Sequence, residues 1–273
     1  MFWSSRKTEE LAFRYENVYI HPTAEVGIDV ELGPFTYVGP NCRVGDGSRL
    51  HNNVTLVANV ALGQGNEVFP GAVLGGVPQD KKYRGEDSWV MVGNRNIIRE
   101  CVTVNGGTTL GGGITRMGSR NLIMASCHIA HDCILEDDIT MANNVLLGGH
   151  VRVERHASFG GLAAVHHFVT VGQHAFVGGL ARVTQDVAPF MLVEGNPVRI
   201  WSINKVGLKR HGASPGALKA LKDAHRILFR SRLPRKEAVE QLFAKHPDVP
   251  ELTVLVDFLA ATEQGNQGRA RQP

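Results

Sequence analysis

No run in this 273-residue chain approaches the roughly 20 apolar residues that a helix needs to cross a bilayer, so a transmembrane helix is excluded. The opening stretch, MFWSSRKTEELAFRYEN, lacks the apolar core of a signal peptide, and a cytoplasmic protein is expected. Four cysteines do not suggest a disulfide framework. Acid is nearly missing from one segment. Residues 199–236 hold eleven Lys/Arg and one acid, Asp223, whereas residues 1–198 hold fifteen Lys/Arg against nineteen Asp/Glu. A basic segment on a slightly acidic body points to an anionic partner at one place. Glycine, by contrast, is plentiful at 31 residues, which implies many tight turns. The length suits one large domain with an appendage, or two domains.

A six-residue repeat fills most of the chain. Stepping by six from Ile20 gives Val26, Leu32, Val38, Val44, Leu50, Leu56, Leu62, Val68 and Leu74, all aliphatic, and Gly follows six of these ten positions. The frame resumes at Val92, Ile98, Val104 and Leu110, slips by one, and runs from Met117 to Val183. This pattern predicts a hexapeptide solenoid in which three hexads make one triangular coil. The aliphatic residue points inward, and the adjacent glycine is expected to relax the corner. The position two before each aliphatic also faces inward and is small: Ala24, Val30, Thr36, Cys42, Ser48 and onward.

Cys42, Cys127 and Cys133 fall at that small position and read as core residues rather than a thiol site. The histidines differ. His128, His131, His150 and His166 are off the inward frame, and seven of the twelve histidines lie between 128 and 174. Stacking of successive coils would gather them. Asp132, beside His131, can hydrogen-bond an imidazole and so fix its tautomer and basicity.

The frame breaks at 76–91, which carries Asp80, Lys81, Lys82, Tyr83 and Arg84, and again at 106–116, a glycine-rich stretch. Insertions in a regular solenoid project as loops, and loops on a rigid scaffold often carry function. After about residue 187 the pattern ends, and Pro189 and Pro197 suit a cap. Helical periodicity follows. Ser214 is a plausible N-cap with Pro215 at the first helical position. Leu218, Leu221, His225 and Leu228 form one stripe, and Lys219, Lys222, Arg226 and Arg230 another. Two further helices are expected before a disordered tail over 264–273. The expected organisation is a 1–17 extension, an 18–190 solenoid and a 191–263 helical domain.

The segments YIHPTAEVG, GPFTYVGP, PQDKKYRGE, NLIMASCHIAHDC, MANNVLLGGHV, GGLAAVHHFVTVG and GLKRHG, in this order and spacing, resemble the UDP-N-acetylglucosamine O-acyltransferases that begin lipid A synthesis. The resemblance implies a left-handed parallel β-helix with a C-terminal helical domain, assembled as a homotrimer with active sites between subunits. It implies transfer of a 3-hydroxyacyl chain from acyl carrier protein to the 3-hydroxyl of UDP-N-acetylglucosamine. No metal or other cofactor is expected, since the acyl group travels on the carrier's phosphopantetheine. Neither nucleic-acid binding nor stable membrane insertion is expected. By resemblance, His131 matches the general base, Asp132 its orienting carboxylate and the Gly149 N–H an oxyanion donor. Asp80, Lys82, His128, His150 and His166 match residues that line the sugar cleft, and Asn204 and Arg210 match nucleotide contacts. Gly179 matches the position that limits acyl-chain length. The basic stripe Lys219, Lys222, Arg226 and Arg230 is the expected docking face for the acidic carrier. Leu146, Phe168 and Phe176, off the inward frame, are expected on outer faces that meet neighbours in the trimer.

The chain also departs from the family pattern. The usual His-Arg-Gly-Thr is Asn105-Gly106-Gly107-Thr108; a glutamine beside the cleft histidine is His167; a glutamate and an arginine at the nucleotide end are Val206 and His211. These leave open a 3-amino variant of the sugar nucleotide. They also leave two other classes: a zinc-dependent γ-type carbonic anhydrase, which needs three imidazoles on one metal, and a non-catalytic scaffold.

Overall fold

A computed structural model describes residues 17–272, so the expected N-terminal extension lies, apart from Asn17, outside the described residues. The hexad period becomes a prism. Short strands, mostly two residues long, join three sheets of nine, eight and ten strands among the described residues, and up to Arg182–Val183 each strand pairs with the third one on in sequence. In an uninterrupted coil the pairing is parallel and 18 residues apart, as in Tyr37↔Thr55 and Glu25↔Arg43. Every aliphatic of the frame from Val26 to Leu74 and from Met117 to Val183 is buried. A solenoid has no distant contacts to close it, so this inward ladder carries the hydrophobic stabilisation, at roughly 1.5–3 kcal/mol per large side chain.

The slip in the frame has an arithmetic cause. Across the first insertion the pairing Val73↔Thr103 spans 30 residues, 12 more than a coil; twelve is two hexads, and the register resumes unchanged. Across the second, Thr103↔His128 spans 25, seven more than a coil, which shifts the frame by one. Both loops are shorter than the broken pattern suggested, because Trp89–Val92 and Ile114–Met117 are already strands. Leu110, which fits the frame, is exposed in the short 3-10 turn Thr109–Gly111.

The glycines after the aliphatics do not relax the corner, except Gly75 at φ 80°. Gly39 and Gly45 have no positive φ; a Cβ on Gly39 would overlap the Val57 carbonyl, and one on Gly45 the backbone of Gly63 in the next coil. They permit close approach of coils. The left-handed corner falls two residues later, mostly on non-glycine residues, including Asp29, Asn41, Asn53, Asp132, Asn144 and His150 at φ 53–61°. Asn, Asp and His tolerate this region better than other side chains. Inside, Asn66, Asn96 and Asn121 form a buried ladder in which each amide oxygen accepts a backbone N–H from the coil above.

The sheets do not end at residue 190. Met191–Glu194 extends the third sheet beside Phe176–Val177, and Arg199–Ile203 returns antiparallel to it. Four helices follow: α1 (Lys205–Arg210), α2 (Pro215–Phe229), α3 (Arg235–Lys245) and α4 (Pro250–Glu263). The Ser214 hydroxyl accepts the Ala217 N–H and caps α2. The buried stripe of α2 is Ala217, Ala220, Leu221, Ala224 and Ile227; Leu218, His225 and Leu228 sit at its margin, half-buried. Lys219, Lys222, Arg226 and Arg230 are exposed. No helix among the described residues is long and apolar enough to cross a membrane.

The tail is not a free end over the described residues. The Gln267 amide donates to the Phe258 carbonyl, and the Arg271 guanidinium donates to the carbonyls of His150 and Phe168 at 3.1 and 2.8 Å.

Candidate active site

Stacking at 18-residue intervals places His131, Gly149 and His167 in one column, and Asp132, His150 and Phe168 in the next. All three residues of the second column take left-handed φ, 61°, 61° and 65°. The corner turns the backbone away and presents the side chains to one side.

Asp132 is buried. His131 Nδ1 lies 2.7 Å from Asp132 Oδ2. An ionised carboxylate only accepts, so Nδ1 carries the proton and Nε2 is left as the acceptor. The Thr108 N–H donates to Asp132 Oδ1 at 2.7 Å, and its hydroxyl donates to Oδ2 at 2.6 Å. The Asp132 N–H donates to Thr115 Oγ1 at 2.8 Å. Burial alone would raise the Asp132 pKa, but the hydrogen bonds from His131 and Thr108 hold it below the usual carboxylate value.

Gly149 stands against the free face of His131: a Cβ there would come within 2.6 Å of Nε2. Its N–H meets no acceptor among the described residues, so it can donate to an atom beside Nε2. His150 stacks on Phe168 at 4.3 Å and meets His131 edge-on at 5.2 Å. Burial lowers its pKa, and likewise that of His128, whose Nδ1 lies 2.7 Å from Thr103 Oγ1.

The first insertion closes over this corner. Asp80, Lys82, His131, Gly149, His150 and His167 line one cavity of about 440 Å³, with Phe168 and Gln272 at its wall. His166 packs on His167, ring centres 3.7 Å apart, but is not part of that lining. Phe168, expected on an outer face, is buried between His150 and the Arg271 guanidinium; Leu146 is exposed as expected, and Phe176 is half-buried.

The other expected residues lie elsewhere. Asn204 and Arg210 line a second cavity, of about 570 Å³, with Phe159, Phe176, Lys205 and Val206. The Asn204 side chain is already engaged: Oδ1 accepts the Gly207 N–H as the cap of α1, and Nδ2 donates to the His174 carbonyl. Gly179 sits on Gly161 of the preceding coil, where a Cβ would lie 3.2 Å from the Gly161 carbonyl. His156 and His174 belong to a separate stack that includes His211. Thr108 and Arg271 are the site residues that sequence reasoning missed. Thr108 was visible only as the end of the NGGT stretch.

His131, Asp132 and His150 bring possible metal-binding atoms within 4.8 Å of one another, which is two imidazoles and a carboxylate rather than three imidazoles. The carboxylate is also committed to His131 and Thr108.

Two family models match the chain: one described as Udp N-acetylglucosamine O-acyltransferase, Domain 2, over residues 186–267, and one as bacterial transferase hexapeptide (six repeats) over residues 23–58. The acyl-[acyl-carrier-protein]–UDP-N-acetylglucosamine O-acyltransferase of a Synechocystis strain is 44% identical over 79% of this chain and 78% of its own length. That of Thermodesulfovibrio yellowstonii is 41% identical over 92% of this chain and 97% of its own. Among solved structures, the UDP-N-acetylglucosamine acyltransferase of Bacteroides fragilis superposes with a TM-score of 0.86 at 34% identity, covering 89% of this chain and 94% of that one. That of Francisella novicida gives 0.84 at 35%, covering 89% of each.

Proposed function

We propose a reaction path for this chain, which belongs to the acyl-[acyl-carrier-protein]–UDP-N-acetylglucosamine O-acyltransferase family and has its left-handed parallel β-helix. The acceptor is the 3-hydroxyl of UDP-N-acetylglucosamine, and the donor is a 3-hydroxyacyl thioester on acyl carrier protein. The observation that carries this reading is the His131 Nδ1–Asp132 Oδ2 bond of 2.7 Å, which leaves Nε2 as a base facing Gly149. A sugar hydroxyl is a poor nucleophile near neutral pH and needs such a base. His131 Nε2 takes the hydroxyl proton as the oxygen attacks the thioester carbonyl and the C–O bond forms. The carbonyl oxygen becomes an oxyanion and accepts the Gly149 N–H. Collapse breaks the C–S bond, and the proton on Nε2 passes to the departing sulfur.

The remaining residues bind. Asp80, Lys82, His128, His150, His166 and His167 hold the sugar and wall the cleft; Gly179 leaves room at the acyl end. Arg210 reaches the diphosphate, and Asn204 supports it from the helix cap. Lys219, Lys222, Arg226 and Arg230 receive the carrier. The path calls for no metal, and the acyl group brings its own phosphopantetheine arm. The catalytic and nucleotide cavities are separate within one chain, and Leu146, Leu162 and Leu180 are exposed, which supports a trimer whose subunits complete each other's clefts.

Incubation with UDP-N-acetylglucosamine and a panel of 3-hydroxyacyl carrier proteins should give a singly acylated sugar nucleotide by mass, from a protein that sediments as a trimer. Product from none of the carriers would overturn the reaction, and a fully active monomer would overturn the assembly.

A further inference from the structure

We propose that Thr108 is a positioning residue for the reaction, and that the glycine-rich insertion exists to deliver it to Asp132; this rests on the reading of His131 as the base.

A carboxylate held by one imidazole alone can rotate about its own Cβ–Cγ bond. Here it cannot. Thr108 grips both oxygens, the N–H on Oδ1 and the hydroxyl on Oδ2, and Oδ2 is the oxygen that meets His131 Nδ1. The carboxylate plane is set by three donors from two chain segments 24 residues apart. Thr108 is itself buried, so water does not compete for either bond.

The insertion is shaped around this contact. The Thr108 carbonyl accepts the N–H groups of Gly111 and Gly113, at 3.0 and 2.7 Å, which closes the loop at its neck. A Cβ on Gly111 would overlap the Asp132 carboxylate, and one on Gly107 the backbone at Ile114. The Ser88 hydroxyl donates to the Gly107 carbonyl at 2.8 Å and so ties the end of the first insertion to the same neck. The glycines therefore serve close approach, and no phosphate is needed to explain them.

Two effects follow. The pinned carboxylate keeps the imidazole plane, and hence Nε2, aimed beside Gly149. The hydroxyl also takes up part of the charge on Oδ2, so the carboxylate stabilises the imidazolium less than a bare one would. Removing the hydroxyl should cost rate through misalignment, of which about an ångström is enough to lose up to 100-fold. It should also move the acid limb of the rate profile toward higher pH, since the imidazolium gains.

The experiment compares Thr108→Val, Thr108→Ser and His131→Ala in the full-length enzyme with UDP-N-acetylglucosamine and an acyl carrier substrate. T108V should lower kcat about 10- to 100-fold with both KM values within about twofold, and should shift the acid limb of kcat upward. T108S, which keeps the hydroxyl, should stay within about threefold of the parent with its limb unmoved. Should T108V fail to fold, Thr108→Ala removes the same hydroxyl without added bulk and is read in the same way. The proposal is overturned if the variant lacking the hydroxyl keeps the parental kcat and limb, or if T108S is as impaired as T108V. H131A separates the two readings. If it is inactive while T108V is normal, only the Thr108 assignment fails; if it is active, the base assignment fails.

Discussion

Two corners of the prism carry nearly the same column of side chains and differ in what surrounds them. One runs Asp132, His150, Phe168; the other runs Asp138, His156, His174, Phe190, and all seven residues adopt left-handed φ between 55° and 67°. At the first corner the aspartate is buried and spends its charge on His131 and on Thr108 from the second insertion. At the second, Arg120 takes Asp138 through both oxygens, at 2.8 and 2.7 Å. No carboxylate is left there to orient an imidazole. His156 and His174 stack on each other at 4.6 Å with buried Nδ1 atoms that have no hydrogen-bond partner among the described residues, and His211 closes over them. A stacked corner is thus only a mount. Whether it does chemistry depends on the neighbour that captures its aspartate.

The largest expected effect tests that statement directly. His131→Ala should reduce kcat by about 10²–10⁴-fold, the usual cost of a lost general base, with an unchanged circular dichroism spectrum. His174→Ala, at the other corner, should leave kcat within about threefold near pH 7.5. Comparable losses in both, measured with the same substrates, would erase the distinction between the corners.

The corner with the base was legible in the sequence for a physical reason. The six-residue period fixes which side chains face in, so it takes His131 off the inward frame and puts Cys127 and Cys133 in the core, while it marks Asp132 only as the neighbour of His131. The resemblance then supplied roles. The long-range partners were not legible. The Thr108–Asp132 bonds depend on how a seven-residue excess folds back, and Arg271 reaches His150 across 121 residues. The strand pair at 191–203 was hidden because Pro189 and Pro197 break the hexad pattern while the backbone still extends the sheet. The role of the glycines is hidden in the sequence for a related reason. Close approach between coils and a left-handed corner both call for glycine, and which of the two applies at a given position depends on how the next coil stacks.

An intermediate effect concerns substrate charge, which neither histidine corner is built to read. Reversing Lys222 and Arg226 to Glu should raise KM for the acyl carrier about three- to tenfold at low salt, with little change for the sugar nucleotide. Exposed complementary charge acts mainly on encounter, and the difference should fade above about 0.15 M salt, where the Debye length is roughly 8 Å. Arg226 is partly spent on Asp223, 3.2 Å away, so Lys222 should carry more of the change. Arg210→Ala should do the reverse, raising KM for the nucleotide and not for the carrier. Steady-state kinetics with each substrate varied in turn would show it, and identical profiles for the two variants would remove the separate roles.

The smallest effect belongs to the silent corner and concerns stability. Burial first, then the neighbouring His156 and His211, push the His174 pKa down from 6.5 to about 4. Burial likewise lowers that of His156, although Asp138 opposes it. A histidine whose folded pKa is depressed binds fewer protons in the native state than in the unfolded chain between those two values. Stability is then undiminished above about pH 6.5 and falls as pH drops through the window toward 4. His174→Phe keeps a ring between His156 and Phe190 but cannot take a proton. Its melting temperature should therefore decline less steeply than the parent's between pH 7 and pH 5. Histidines away from this stack titrate in both proteins and cancel in the difference, whereas His156 and His211 also lose their repulsion from a charged His174. Since His174 keeps some contact with solvent, the gap at pH 5 should be only about 2–4 °C, the size that roughly 1 kcal/mol makes in a domain of this length. Parallel melting curves for the two proteins across that range would mean that the His174 ring is hydrated in the folded state, and that this corner is more open than its packing indicates.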